Sequence, residues 1–135
     1  MSVEIKPEFE QRFREEKTIC LTTVRADGMP QPTPVWFLWE NGTFLIYSQP
    51  KAQKLKNIAQ NPKVALSFNT DEWGDEFLVV MGEARIDDKQ PLSHEIPAFV
   101  EKYREGIKGI QMTPESMAKE FSVAIRVTPV RVRGE

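Results

Sequence analysis

The chain has 135 residues, enough for one domain that buries a single hydrophobic core. Its hydrophobic fraction of 40% and charged fraction of 28% are those of a soluble globular protein, and its formal net charge is −2. Nucleic-acid-binding domains usually carry a basic excess on one face, so this composition argues against a nucleic-acid partner. We therefore expect residues 1–135 to form one globular domain.

Cysteine content and hydropathy suggest where the protein works. Cys20 is the only cysteine, which excludes an internal disulfide and fits a reducing compartment. The first residues are charged and lack the apolar run of a signal peptide. No apolar stretch approaches the length of a membrane span. We expect a cytoplasmic protein without a membrane partner.

The first half of the chain predicts three strands and two helices, of which the second begins at Pro50 and is described below. Residues 7–16 form an amphipathic helix with Phe9 and Phe13 on its buried side. Strands are predicted at residues 18–24, 31–39 and 43–48, where β-branched and aromatic residues are frequent. The last two of these strands are joined at Asn41-Gly42, a strong hairpin signal.

The second half predicts three more strands, at residues 64–68, 76–86 and 122–132, with a bulge at Gly82. Two helices lie between the last two of these strands. The second begins at Thr113-Pro114, and the first is marked by core-facing spacing at Ile96, Phe99, Val100, Tyr103 and Ile107. Six short strands with attached helices predict a small β-barrel.

The segment after the hairpin indicates an anion site. Pro50 suits the first position of a helix, whose free N–H groups then attract negative charge. Ser48 comes just before this position, and Lys51, Lys54 and Asn57 share one helical stripe. A hydroxyl and two lysines at a helix start could hold a phosphate. An ordinary amphipathic helix with solvated lysines is the alternative.

Pro30, Pro32 and Pro34 alternate along the second strand, so one lateral edge of it lacks three backbone donors. One interpretation is an edge strand protected from aggregation by proline. The other is an edge that stays open to a flat ligand, with the backbone of Val35 and Trp36 near its polar rim.

Catalytic and metal-binding patterns are absent from the sequence. His94 is the only histidine, and with Cys20 it gives no metal-ligand spacing. The acidic loop at residues 71–76 lacks the spacing of a calcium-binding loop. Neither GxGxxG nor GxxxxGK[ST] is present. An enzyme with this sequence would leave the difficult chemistry to an organic cofactor.

A family resemblance covers most of the chain. It is carried by the sequence TVRADGMPQPTPVWFLWENGTFLIYSQPKAQKLKNIAQNPKVALSF at residues 23–68 and by EFSVAIRVTPVRVRG at residues 120–134. These segments resemble the pyridoxamine-5'-phosphate-oxidase-like, flavin-binding split-barrel family. The most similar subgroup is that of small proteins assigned to the deazaflavin coenzyme F-420.

This resemblance implies a six-stranded antiparallel split β-barrel that forms a homodimer, with flavin-type cofactors bound between the subunits. It also implies roles for particular positions. Ser48 and Lys54 match the residues that hold the cofactor phosphate. Thr33 and Gln53 stand where flavin mononucleotide (FMN) oxidases of the family carry arginines, which weakens the case for tight FMN binding. The implied cofactor-binding residues are Thr33, Pro34, Val35, Trp36, Ile46, Tyr47, Ser48, Lys51, Gln53 and Lys54.

The expected function is therefore that of an oxidoreductase that transfers hydride between coenzyme F-420 and a small conjugated substrate. An FMN-dependent oxidoreductase is the first alternative, and a non-catalytic carrier of a flavin-type or haem-type ligand is the second. The sequence identifies no catalytic residue and no metal ligand. Tyr47 is the one candidate proton donor, with solvent as its substitute.

Overall fold

The computed structural model describes residues 3–135, which form one antiparallel sheet of seven strands with four α-helices packed around it. The strands are β1 (Ile19–Val24), β2 (Pro30–Val35), β3 (Leu38–Glu40), β4 (Thr43–Ser48), β5 (Lys63–Ser67), β6 (Leu78–Ile86) and β7 (Val123–Gly134). The helices are α1 (Pro7–Glu15), α2 (Gln53–Gln60), α3 (Pro97–Gly109) and α4 (Pro114–Glu120), with a 3-10 turn at Ser93–Glu95.

This architecture confirms the predicted mainly-β split barrel. The predicted domain, residues 1–135, includes residues 1–2, which lie outside the described residues. None of the helices within residues 3–135 is both long and apolar enough to cross a bilayer.

The two edges of the sheet are consecutive in sequence. The strand order is β2-β1-β5-β6-β7-β4-β3, and only Trp36 and Phe37 separate β2 from β3. The sheet must therefore curl until its first and last strands meet at these two residues, which we call the corner. The prediction of one continuous strand over residues 31–39, and hence of six strands, was wrong.

The chain leaves the sheet at the corner because helix α3 satisfies its backbone groups. Phe37 N donates to Tyr103 Oη at 2.8 Å, and Phe37 O accepts from Lys102 Nζ at 2.9 Å. The Tyr103 hydroxyl also lies 2.9 Å from Phe37 O and 2.8 Å from Lys17 O. These side chains replace the strand partners that Phe37 would otherwise need.

The turn between β3 and β4 and the bulge at Gly82 are formed as predicted. Asn41 and Gly42 have φ values of +52° and +74°, as the tight turn between β3 and β4 requires. The register between β6 and β7 shifts between Met81 and Gly82, which confirms the predicted bulge. A Cβ on Gly82 would lie 2.6 Å from Thr128 O, so the close approach of β7 requires glycine there.

Helix α2 begins later than predicted. Ala52 is its N-cap, with an extended backbone at φ −67° and ψ 140°, so the first helical residue is Gln53 rather than Pro50. Ala52 N donates to Gln49 O at 3.2 Å, which closes a turn around Pro50 and Lys51. The N–H of Ala52 is therefore paired, whereas a helix beginning at Pro50 would have left it free to bind an anion.

The core has two parts, and β4 separates them. Phe44 and Ile46 point into the main core, together with Phe13 of α1 and Leu55 of α2. The alternate residues Leu45 and Tyr47 point into a second cluster, against Phe99, Tyr103 and Ile107 of α3 and Met117 of α4. The second cluster places α3 and α4 beside the corner.

Candidate functional site

A cavity of about 320 Å³ lies between the corner, α2 and the α3–α4 connection. Five residues that the family resemblance assigned to cofactor binding line it: Pro34, Val35, Trp36, Tyr47 and Lys54. Four further lining residues were missed by the sequence: Thr18, Ile110, Met117 and Phe121. Met117 lies in α4 and Phe121 directly follows this helix. Both are far from the corner in the sequence, and only the tertiary fold brings them to the cavity.

The other five predicted binding residues do not line the cavity. Ile46 is fully buried in the main core, and Thr33 is half-buried on β2. Lys51 is exposed in the turn before α2. Gln53 is exposed, and its Nε2 donates to Asn57 Oδ1 at 3.0 Å.

The Ser48 hydroxyl already has a partner. Ser48 is only 1% exposed, and its Oγ donates to Gln49 O at 3.0 Å. To bind an anion, the Ser48 hydroxyl would have to give up its hydrogen bond to Gln49 O. Ser48 therefore differs from Lys54, which lies directly on the cavity wall.

Lys54 brings a positive charge to an otherwise mostly apolar cavity. Burial lowers the pKa of its ammonium, because the charged form loses hydration there. An anionic ligand group would restore the lost stabilisation of the charge, and pairing in a partly dry site is stronger than at the open surface. Lys54 is therefore suited to hold a phosphate or carboxylate.

Asn57 fixes the helix that carries Lys54. It lies one turn further along α2 and is 1% exposed. Its Nδ2 donates at 2.9 Å both to Thr23 Oγ1 on β1 and to Gln31 Oε1 on β2. These bonds attach α2 to two strands and set the position of Lys54 against the sheet.

Tyr47 is held in place by its hydroxyl. The Oη donates to Pro91 O at 2.5 Å, and burial is the main cause that raises the pKa of this phenol. The single hydroxyl proton is thus already engaged outside the cavity. This geometry gives Tyr47 a role in the wall of the cavity rather than the proton-donor role considered from the sequence.

The strand with alternating prolines is an edge strand. Pro30, Pro32 and Pro34 are all exposed, and they lie opposite Val24, Thr22 and Cys20 of β1. The outer edge of β2 consequently lacks three donors, as the spacing predicted. This edge reaches the cavity at Pro34. The two interpretations of the prolines, an edge protected from aggregation and an edge open to a flat ligand, are therefore compatible.

Residues 3–135 contain no group of three or more histidine, cysteine, aspartate or glutamate side chains arranged to hold a metal ion. The acidic loop that follows β5 is instead organised by its own backbone. Asp71 Oδ1 accepts from Trp73 N at 3.1 Å and from Asp75 N at 2.8 Å. These carboxylate contacts form a turn, with Trp73 81% exposed at its tip.

Comparison with known proteins identifies the family. A family model described as pyridoxamine 5'-phosphate oxidase matches residues 5–134, so the chain belongs to this family. No curated protein sequence matches the chain significantly.

Three solved structures illustrate the range of proteins with this fold. A protein named F420 reductase is 24% identical, with a TM-score of 0.73 over 97% of this chain and 100% of the other. HutZ, a haem storage protein from Vibrio cholerae, is 17% identical, with a TM-score of 0.67 over 98% and 95%. An FAD-binding protein from Mesorhizobium loti is 15% identical, with a TM-score of 0.65 over 93% and 87%. At these identities the likeness establishes the fold alone.

Proposed function

We propose that this protein is an oxidoreductase that binds a flavin-type cofactor, with coenzyme F-420 ahead of FMN, and transfers hydride to or from a small conjugated substrate. The observation that carries the proposal is the cavity at the corner. It combines one partly buried ammonium, that of Lys54, with a wall of apolar and aromatic side chains. A ligand with a flat conjugated ring and an anionic end has this pattern of properties.

The residues present fit such a cofactor. Lys54 would hold the phosphate, and the exposed Lys51 could meet a second negative group on a longer tail. The backbone of Pro34 to Trp36 would lie beside the ring at the donor-poor edge. A flavin or deazaflavin supplies hydride transfer when bound, while the protein positions the ring and excludes water. Solvent is the proton source in this proposal, since Tyr47 is engaged elsewhere.

A homodimer is part of the proposal. A volume of about 320 Å³ is near the lower end of the roughly 300–1,000 Å³ typical of ligand pockets. Ile110 on its wall is 51% exposed, so the cavity is open on that side. A second subunit would supply the missing wall for a cofactor with a long tail. A cytoplasmic location agrees with the single cysteine.

Substitution of Lys54 tests the phosphate site. We expect Lys54→Ala to weaken binding of oxidised and reduced F-420, and of FMN, by about tenfold or more, because a charge-assisted hydrogen bond contributes roughly 1.5–3 kcal/mol. Dissociation constants would be measured by absorbance titration of the purified protein. Lys56→Ala is the matched control, since Lys56 is an exposed lysine on the same helix. Equal affinities in wild type and Lys54→Ala would refute the assigned phosphate site.

The nature of the cofactor is decided by what the purified protein retains. A yellow preparation with a phosphate-ended flavin in its mass spectrum favours FMN, and a bound deazaflavin favours F-420. A non-catalytic carrier is the second candidate function, because Lys54 is the one ionisable lining side chain of the cavity besides the engaged Tyr47. Binding of flavins or tetrapyrroles without turnover of quinones and enones would support that candidate.

A further inference from the structure

The indole of Trp36 lies flat against helix α3. Its ring and that of Tyr103 are parallel to within 2°, with centroids 4.5 Å apart. Tyr103 is 2% exposed, and its hydroxyl is anchored to the backbone of Phe37 and Lys17. Because Tyr103 is fixed at both its ring and its hydroxyl, it offers Trp36 a rigid surface.

Gly106 makes room for the same indole. It lies one turn beyond Tyr103 in α3, and a Cβ at this position would lie 3.1 Å from Trp36 Cη2 and 3.2 Å from Trp36 Cζ2. Contacts this close are uncommon, so a Cβ at residue 106 would require the indole to move by a few tenths of an ångström. A glycine inside a helix normally destabilises it relative to alanine. This glycine therefore has a steric explanation in the position of Trp36.

The indole also forms part of the cavity wall. Trp36 is only half-buried, and stacking on Tyr103 occupies one face of its ring. Trp36 and Lys54 line the same cavity, so part of the indole borders the space beside Lys54. Offset stacking between aromatic rings is favourable beyond the burial of area, and the gain depends on the ring planes being held in the right orientation.

We propose that Trp36 is the stacking surface for a planar, uncharged conjugated ring in this cavity, and that Gly106 and Tyr103 are positioning residues that set its plane. The inference rests on the cavity of the proposed function and adds which part of a ligand is recognised there. The ring could belong to the cofactor or to a conjugated substrate. Lys54 recognises the anionic end, so the two interactions can be tested separately.

The test compares Gly106→Ala with Gly109→Ala. Gly109 is in the same helix, and a Cβ there meets nothing within 4 Å, so it is a matched control. The probes are F-420, FMN, riboflavin, which has the ring without a phosphate, and menadione as a conjugated substrate-like ring. Dissociation constants would be measured by equilibrium dialysis, which does not depend on tryptophan fluorescence. We expect Gly106→Ala to weaken ring binding by about three- to tenfold and Gly109→Ala to leave it unchanged.

A second pair of variants tests the stack without changing the helix. Trp36→Leu should weaken binding of the ring-containing probes. Trp36→Phe should bind them more tightly than Trp36→Leu, because it returns an aromatic ring to the same place. Fluorescence is not the readout for this pair, because a bound flavin also quenches Trp39 and Trp73, which remain in Trp36→Leu. Partial rescue of binding by phenylalanine, measured by the same equilibrium dialysis, would not follow from a purely structural role.

The outcomes separate this inference from the proposed function. A loss for the flavins or F-420 assigns the stacked ring to the cofactor, and a loss for menadione alone assigns it to the substrate. If Gly106→Ala and both Trp36 variants bind all four probes like wild type, while Lys54→Ala still weakens binding of F-420 or FMN, the stacking surface is refuted and the phosphate site stands. If wild type binds menadione but neither the flavins nor F-420, and Gly106→Ala weakens menadione binding, the stacking surface stands and the cofactor proposal fails. If wild type binds none of the four probes, both are overturned.

Discussion

At the scale of single residues, Lys102 is an unusual lysine because its ammonium is partly buried at the corner. Its Nζ lies 3.7 Å from the centroid of the Phe37 ring and 2.9 Å from Phe37 O. Burial, with a further contribution from the charge of Lys17, lowers its pKa to about 8. The folded protein therefore keeps a lysine at the corner that loses its proton more readily than a free lysine.

This pKa predicts a dependence of stability on pH. The pKa of Lys102 is about 8 in the folded state and 10.5 for an unperturbed lysine. Between these values the unfolded chain binds more protons, so raising the pH favours the folded state. We expect the free energy of unfolding of wild type, minus that of Lys102→Met, to rise from about pH 8 to pH 10.5.

Urea unfolding across this pH range would measure the difference. Lys108→Met is the control, because Lys108 is an exposed lysine on the same helix. The difference between wild type and this control should stay flat. A flat or falling difference for Lys102→Met would show that the ammonium is not destabilised by the corner.

At the scale of elements, the end of α3 determines where Ile110 meets the cavity. Gln111 has φ +62°, a left-handed conformation that usually requires glycine. Gln111 N donates to Lys108 O at 3.0 Å, and Met112 N donates to Ile107 O at 3.0 Å. These bonds form a Schellman motif, which ends the helix and turns the chain beside Ile110.

The motif predicts a stabilising substitution. Gln111→Gly should raise the free energy of unfolding by about 0.5–1 kcal/mol, because glycine adopts positive φ without the steric cost of a Cβ. Gln111→Ala is the control that retains the Cβ, and it should resemble wild type. Chemical denaturation of wild type and the two variants would give the order of their free energies of unfolding. A Gln111→Gly protein less stable than wild type would mean that the glutamine side chain contributes more than its backbone strain costs.

At the scale of the whole molecule, curling of the sheet creates the site. The two edge strands meet at the corner, and α3 and α4 cover one side of it. The exposed proline edge of β2 and the exposed Ile110 remain on the open side. A second copy of the chain could cover both and complete the walls around a cofactor.

We expect native mass spectrometry to show a dimer at micromolar concentration, with up to two cofactors per dimer. The same spectrum reports the mass of any ligand retained during purification. Light scattering at the same concentration is the independent check on subunit number. A monomer in both measurements would contradict the proposed dimer.

Much of the fold could be predicted because its signals are local. The hairpin at Asn41-Gly42 depends on the backbone freedom of two residues, and Thr113 caps α4 through a bond to Ser116 N three residues away. The alternation of three prolines also indicated an edge strand from a local property, because proline has no backbone N–H to donate to a neighbouring strand. The start of α2 was misplaced because Pro50 is compatible with both a tight turn and a first helical turn.

What the sequence alone determined was the element types, their turns, the family, and five of the nine residues that line the cavity. What only the tertiary structure decided was the corner and what surrounds it. Phe37 turns away from the sheet because Tyr103, 66 residues later, satisfies its backbone, and Gly106 leaves space for an indole 70 positions earlier in the sequence. No local pattern records such pairings, since hydrogen bonds and steric fit between distant segments exist only after the chain has folded.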